Sequence, residues 1–244
     1  MRIARSTAAA AALALLAAGA TADARTASSP IAAAIADAAR PADDTARDVA
    51  RKPARMLAFA GVRPGMVVGE LLPGGGYFTR LFARAVGPRG AVFAWMPAGA
   101  PPRFVDKFKP VSDNPAYRNV TLLLQDSFAP PRPVDVVWTS QNYHDLHLRG
   151  GTAEAANAAA FRALKPGGVY IVVDHVARAG SGTSDTDTLH RIDPETVKAE
   201  VARAGFVFDG EDSSLRNATD DHTRKVYDLH DHTDQFVFRF RKPR

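Results

Sequence analysis

Residues 66–80 read Met66-Val67-Val68-Gly69-Glu70-Leu71-Leu72-Pro73-Gly74-Gly75-Gly76-Tyr77-Phe78-Thr79-Arg80. The turn Arg63-Pro64-Gly65 leads into the apolar run 66–71, which has the length and flanks of a buried strand. Pro73 and three glycines then break the chain. Beyond them Phe78, Leu81, Phe82 and Ala85 recur at the spacing of one helical face, over Tyr77 to Val86. Three consecutive glycines let a ligand approach the backbone, and a helix N-terminus just beyond offers free N–H groups to a negative group. A phosphate loop needs Gly-Lys-Ser/Thr after the glycines, where Tyr77-Phe78-Thr79 stands. The dinucleotide fingerprint needs a small residue where Thr79 stands, and an acidic residue after the second strand, where Trp95-Met96-Pro97 stands.

The alternation continues along the chain. Gly87-Pro88-Arg89-Gly90 turns into a second strand, Ala91 to Trp95. Residues 97–119 are Pro-rich, with a short helix near Phe104 to Phe108. Strands are expected at Val120 to Leu124, Val134 to Thr139 and Val169 to Asp174, the last entered by the turn Lys165-Pro166-Gly167-Gly168. Helices are expected from about Thr152 to Leu164, and from an Asp193 N-cap with Pro194 at the first helical position to Gly205. Two more strands, Phe206 to Gly210 and Gln235 to Arg241, close the series. Apolar strands alternating with helices predict a doubly wound α/β sheet with a mainly parallel core.

Ahead of this body, Arg2 and Arg5 precede an uncharged run from Ser6 to Ala22, and Ala22-Asp23-Ala24 fits a small-x-small cleavage site. This is the layout of a signal peptide over residues 1–24, and it predicts an exported chain, periplasmic or secreted, with no membrane anchor after cleavage. Residues 25–44 are expected to form a flexible arm. A helix follows from Thr45 to Ala60, interrupted by Pro53, and opens a single domain over 45–244. The 244 residues hold 31 Lys and Arg, 26 Asp and Glu and no Cys. Disulfides, Cys-ligated zinc, iron–sulfur clusters and a thiol nucleophile are thereby excluded. The basic residues form no extended face, so no nucleic-acid partner is expected.

Several segments in order carry a resemblance to the class I S-adenosylmethionine-dependent methyltransferases, and more narrowly to a secreted bacterial methyltransferase-like family. They are Glu70 to Gly76, Gln125-Asp126-Ser127-Phe128, Val134 to Thr139 and Leu164 to Ile171; Asn142-Tyr143-His144-Asp145, Leu189 to Asp193 and Asp220 to Thr223 suggest the narrower family. The resemblance spans about residues 45–241. It implies a Rossmann-like methyltransferase fold, a seven-stranded mainly parallel sheet with helices on both faces. It implies S-adenosylmethionine as cofactor, a small-molecule acceptor, and cofactor contacts from Glu70, Gly74, Gly75, Gly76, Asp126, Ser127, Phe128 and Asn142. Gly75 is expected to meet the ligand with its backbone, and Asp126 to accept from the adenine amino group. The sequence departs from the pattern twice. Leu72 stands where the first glycine of the motif is usual, and Trp95 or Met96 where a ribose-binding carboxylate is usual.

Polar residues gather just after the fourth and fifth strands: His144-Asp145, Asp174-His175 and, before the next helix, His190-Arg191. In such a sheet these strand ends share one edge. A neutral His beside a carboxylate is a general base near neutral pH. His144 is the expected base, oriented by Asp145 or Asp174, with His175, His190 and Arg191 completing a polar wall in which Arg191 receives an anionic group. No histidine pair has the His-Glu-x-x-His spacing, so no metal is expected, the rival being a His and carboxylate site assembled from distant loops. Two other uses of the scaffold stand beside methyl transfer: a different enzyme built on the His/Asp/Arg group, and a non-catalytic small-ligand module.

Overall fold

The computed structural model describes residues 29–150 and 153–244; the expected signal peptide lies outside the described residues. Seven strands form one sheet in the order β3-β2-β1-β4-β5-β7-β6. They are β1 (Val67–Leu71), β2 (Ala91–Met96), β3 (Val120–Leu124), β4 (Val134–Ser140), β5 (Leu164–His175), β6 (Val207–Glu211) and β7 (Gln235–Arg241). Strands β1 to β5 run parallel, and β7 is antiparallel to both β5 and β6. The strand order reverses between β1 and β4, where Val68 pairs with Val136 and Glu70 with Trp138. The carboxyl ends at this switch point are where ligands bind in doubly wound sheets.

Successive strand residues point to opposite faces, so a sheet covered on both sides carries two cores. On one face Val68, Val92, Val136, Trp138 and Ile171 pack beneath α5 (Tyr77–Val86). The predicted face of α5 is buried there: Phe78 and Phe82 both meet the Trp138 ring, at 4.6 and 5.4 Å between centroids. On the other face Val67, Val137, Tyr170 and Val172 pack with α7 (Ala153–Ala163) and α8 (Pro194–Arg203). Asp193 caps α8 as expected, its Oδ1 accepting from Glu195 N at 3.0 Å.

Four sequence expectations change. From Ser29 onward, the expected arm is folded into α1 (Pro30–Ile35) and α2 (Ala42–Thr45). Its alanines and isoleucines are enough to dock it: Ala34 is fully buried in the core that α5 completes. The expected helix 45–60 is broken in two, α3 (Asp48–Arg51) and α4 (Pro53–Phe59), with Lys52 between them at φ 45°. Proline at the head of α4 disfavours helical geometry in the residue before it. The turn 165–168 belongs to β5, whose register shifts opposite Val134–Val136, with Gly167 at φ 78°. Between β2 and β3, helix α6 (Pro102–Ser112) is longer than the predicted segment and accommodates Pro110 in its last turn.

Candidate active site at the switch point

The glycine loop leaves β1 through Leu72, which adopts φ 52°. That left-handed conformation is the one glycine takes without strain, so the position keeps its backbone geometry although its residue is leucine. Two hydrogen bonds hold it: Leu72 N–H donates to Trp95 O at 2.9 Å, and Asn142 Nδ2 donates to Leu72 O at 2.5 Å. Asn142 is itself fixed by the Thr139 hydroxyl. Asn142 therefore ties the end of β4 to the loop after β1, across the switch point.

The three glycines differ in surroundings. A side chain at Gly74 would meet no protein atom within 4 Å, so its surface is open; at Gly75 it would meet the aliphatic part of Lys107, 3.2 Å from Cε. At Gly76, with φ 82°, it would collide with Val111 of α6. The open glycine is Gly74; Gly75 lies against Lys107 rather than open space, and Gly76 serves helix packing. Arg80 clamps the loop from below, donating to Gly75 O at 2.8 Å and to Asp44 of α2 at 3.0 Å. The folded N-terminal segment is thus part of the site's support.

Arg51, the last residue of α3, reaches the same edge. Its guanidinium lies 4.3 Å from the Tyr77 ring centroid and 4.8 Å from that of Phe78, and donates to Ser140 Oγ at 3.1 Å. It is buried and makes no ion pair with any described residue. Burial, reinforced by the Arg47 charge, pulls its pKa down to about 10. Glu70, at the end of β1, is also buried and accepts from Thr79 Oγ1 at 2.5 Å. Burial pushes its carboxyl up to about 8, against the opposing pull of the Thr79 hydrogen bond, Arg51 and Arg80. A cation with no ion pair among the described residues and a carboxyl held from ionising stand together at the switch point.

The ends of β4 and β5 carry the polar cluster. Asp174 is fully buried and accepts from the backbone N–H groups of His144 at 2.7 Å and His175 at 2.8 Å. The same carboxylate lies 2.9 and 3.0 Å from His144 Nδ1. Burial opposes charge on His144, but Asp174 outweighs it and holds the imidazole above the ordinary histidine range. Nε2 of His144 faces Asp145, 3.5 Å away. The His190 ring stands 5.4 Å from that of His144, and Tyr227 covers its other side at 4.8 Å. His190 adopts φ 57° and Gln141, at the turn after β4, φ 61°. Together with Leu72, three non-glycine residues in this strained region surround the site, a distribution typical of functional positions.

Two members of the expected polar wall lie elsewhere. Arg191 is fully buried, and its donors are engaged by both Asp220 oxygens, Val176 O and Arg224 O. A planar guanidinium this far from water needs such partners, so Arg191 is a structural ion pair, not an anion receptor. His175 is buried behind His144; burial drives its pKa down to about 3, and its Nδ1 pairs with Thr233 Oγ1 at 2.8 Å. Asp145 remains half-open to solvent at the cluster. Of the adenine-loop residues, Asp126 and Ser127 are exposed, whereas Phe128 is buried with its ring over Gly69. Phe128 is therefore a floor beneath β1 rather than a ligand contact. No carboxylate ends β2: Trp95 Nε1 donates to Gln125 O at 2.9 Å, and Met96 is buried. Arg51 was not legible from sequence, since nothing in Asp48-Val49-Ala50-Arg51 distinguishes it from a surface arginine.

A cleft of about 900 Å³ lies beside this site, lined among others by Lys52, Asp231, Thr233 and Gln235; its lining includes neither the glycine loop nor His144.

No protein-family model matches the chain, and no curated protein matches its sequence. Solved structures do match. A S-adenosylmethionine-dependent methyltransferase from Aquifex aeolicus is 17% identical, with a TM-score of 0.59 over 82% of this chain and 94% of that one. One from Mesorhizobium loti is 14% identical, with a TM-score of 0.55 over 79% and 98%. The cyclase SpnF is 17% identical, with a TM-score of 0.58 over 85% and 86%. The strand order, the switch-point loop and these likenesses agree: the chain has the fold of the class I S-adenosylmethionine-dependent methyltransferases.

Proposed function

We propose that the protein is a methyltransferase that uses S-adenosylmethionine and acts on a small molecule. Fold alone does not choose the chemistry; the reading rests on the charges at the switch point. Arg51 is a buried guanidinium with no ion pair among the described residues, and Glu70 is a buried carboxyl that burial keeps from ionising. The amino-acid end of the cofactor carries the complementary pair, a carboxylate for Arg51 and an ammonium for Glu70. Gly74 leaves room for the ligand at the backbone, and Asp126 is exposed to accept from the adenine amino group. When bound, S-adenosylmethionine supplies a methyl group on a sulfonium centre. The chain's own residues would hold it, with the acceptor against His144 at the ends of β4 and β5; the methyl would pass to the acceptor, the thioether would leave, and the acceptor's proton would go to His144, which Asp174 orients. Calorimetric titration with S-adenosylhomocysteine tests the reading: binding supports it, and no binding removes it.

Export is part of the same proposal. It rests on the charge and apolar pattern of residues 1–24. Mass spectrometry of the native protein should find a mature N-terminus at Arg25 or within a few residues of it, and intact Met1 in a cytoplasmic fraction would contradict export.

A further inference from the structure

We propose that His144, Asp145 and His190 form a binding site for one divalent transition-metal ion, with zinc and its close relatives as the fitting class. The three side chains come from two loops, after β4 and before α8, and no spacing in the sequence joins them. In the fold each offers one ligand atom, and these atoms all lie within 4.8 Å of one another.

The surroundings are those of a metal ligand. Asp174 engages His144 Nδ1 and leaves Nε2 directed at Asp145. Metal-binding histidines characteristically give their other ring nitrogen to a carboxylate, which fixes tautomer and ring orientation. Asp174 is itself anchored by two backbone N–H groups, so the orientation is rigid. His190 supplies an independent observation: its Nδ1 is shut from solvent and has no hydrogen-bond partner among the described residues. Its backbone is held at φ 57° in the conformation that sets its ring beside His144. A buried ring nitrogen without a partner calls for an explanation, and an ion is one.

Two imidazoles and one carboxylate suit zinc, iron(II), cobalt(II) or manganese(II) better than calcium or magnesium, which take oxygen ligands. Three protein ligands leave a coordination position free, as in catalytic rather than structural zinc sites. Asp145 keeps 41% of its side chain exposed, so the cluster is open to solvent on that side. An acceptor hydroxyl bound there loses its proton to solvent more readily, because the ion stabilises the resulting oxyanion. His144 is then a ligand rather than the base. This last step, which names a hydroxyl-bearing acceptor, rests on the methyltransferase reading; the ion site does not.

The test is titration of untagged, full-length, chelator-stripped protein with cobalt(II), followed by visible absorption and competition with zinc. One tightly held cobalt with a ligand-field band, displaced by zinc, is expected. His190→Ala and Asp145→Asn should each weaken it by more than tenfold. Asp174→Asn should weaken it by about 10–100-fold, as loss of an outer-shell partner does. Circular dichroism confirms folding, and His190→Ala, on a partly exposed loop residue, is the variant least tied to stability. No band, or a band unchanged by His190→Ala and Asp145→Asn, overturns the site and leaves His144 free to act as a base. The titration needs no cofactor. Cobalt binding with silence toward S-adenosylhomocysteine would keep the ion and remove the methyltransferase reading, and the reverse result would do the opposite.

Discussion

His144 and Asp174 are joined twice: the carboxylate lies 2.9 Å from Nδ1 and accepts the backbone N–H of the same histidine at 2.7 Å. One buried side chain thereby sets both the turn after β4 and the direction of the ring on it. Asp174→Ala would strand the backbone donors of His144 and His175 in the interior. Each buried donor left unpaired costs about 1–3 kcal/mol. Urea unfolding should show a loss of that order, and Asp174→Asn, which retains an acceptor, a smaller one.

Arg191 and Asp220 carry a second stability prediction. Both are buried, and their bidentate contact is 2.9–3.0 Å. Removing one partner of a buried pair costs about 3–5 kcal/mol. Arg191→Met should lower the unfolding midpoint accordingly, while the folded fraction keeps its ligand affinity. An anion-receptor role would give the opposite: normal melting and weakened binding.

Acid should unfold the protein through its paired carboxylates. Burial works against Asp48 and Asp234, but Arg40 and Arg216 beside them hold both below the usual carboxylate range, and Asp220 is likewise held down by its backbone and Arg191 hydrogen bonds. A depressed folded pKa gives stability that is present above the unfolded value and lost as pH falls through the folded one. The contribution of these three carboxylates should therefore hold above about pH 4 and fall below it. A denaturant series from pH 5 to pH 2 measures this, and Asp234→Asn should flatten part of the slope.

The sheet was legible because its signals are local. The apolar runs at 67–71, 134–140 and 169–174 and the glycine break at 73–76 each sit within one short window. The polar cluster was legible in part, since His144, Asp145 and Asp174 follow strands whose ends share an edge. Arg191 was misread because its buried partner, Asp220, is 29 residues away. Phe128 was misread because its surroundings depend on Gly69, which lets the ring lie against β1. The N-terminal segment looked loose from its composition, yet its ion pairs hold it in place: Arg40 with Asp48, Asp44 with Arg80 and Arg47 with Asp231. Such pairings depend on tertiary packing and leave no periodic trace.

Glu70 gives a pH prediction with the sign reversed. Its folded pKa of about 8 lies above the ordinary carboxyl value, so the native state keeps a proton that the unfolded chain releases. Its contribution should erode as pH rises from about 4.5 toward 8, and Glu70→Gln should abolish that decline. Ligand binding should respond the other way, because a bound ammonium favours the ionised carboxylate. Affinity for S-adenosylhomocysteine should rise as pH approaches 8 in the parent and stay flat in Glu70→Gln, as followed by calorimetry.

Asp126 is exposed and makes no side-chain hydrogen bond to any described residue, so Asp126→Ala should leave melting unchanged. If its carboxylate accepts from the adenine, affinity should fall by about 1.5–3 kcal/mol, the worth of a hydrogen bond to a charged group.

The central claim is that the switch point holds S-adenosylmethionine through Arg51, and isothermal titration of the parent and Arg51→Gln with S-adenosylhomocysteine tests it most directly. The account predicts saturable binding to the parent, and a loss of about 1.5–3 kcal/mol in the variant, roughly tenfold to more than a hundredfold in Kd. Absence of binding to the parent, or equal affinity in a folded Arg51→Gln, would contradict it.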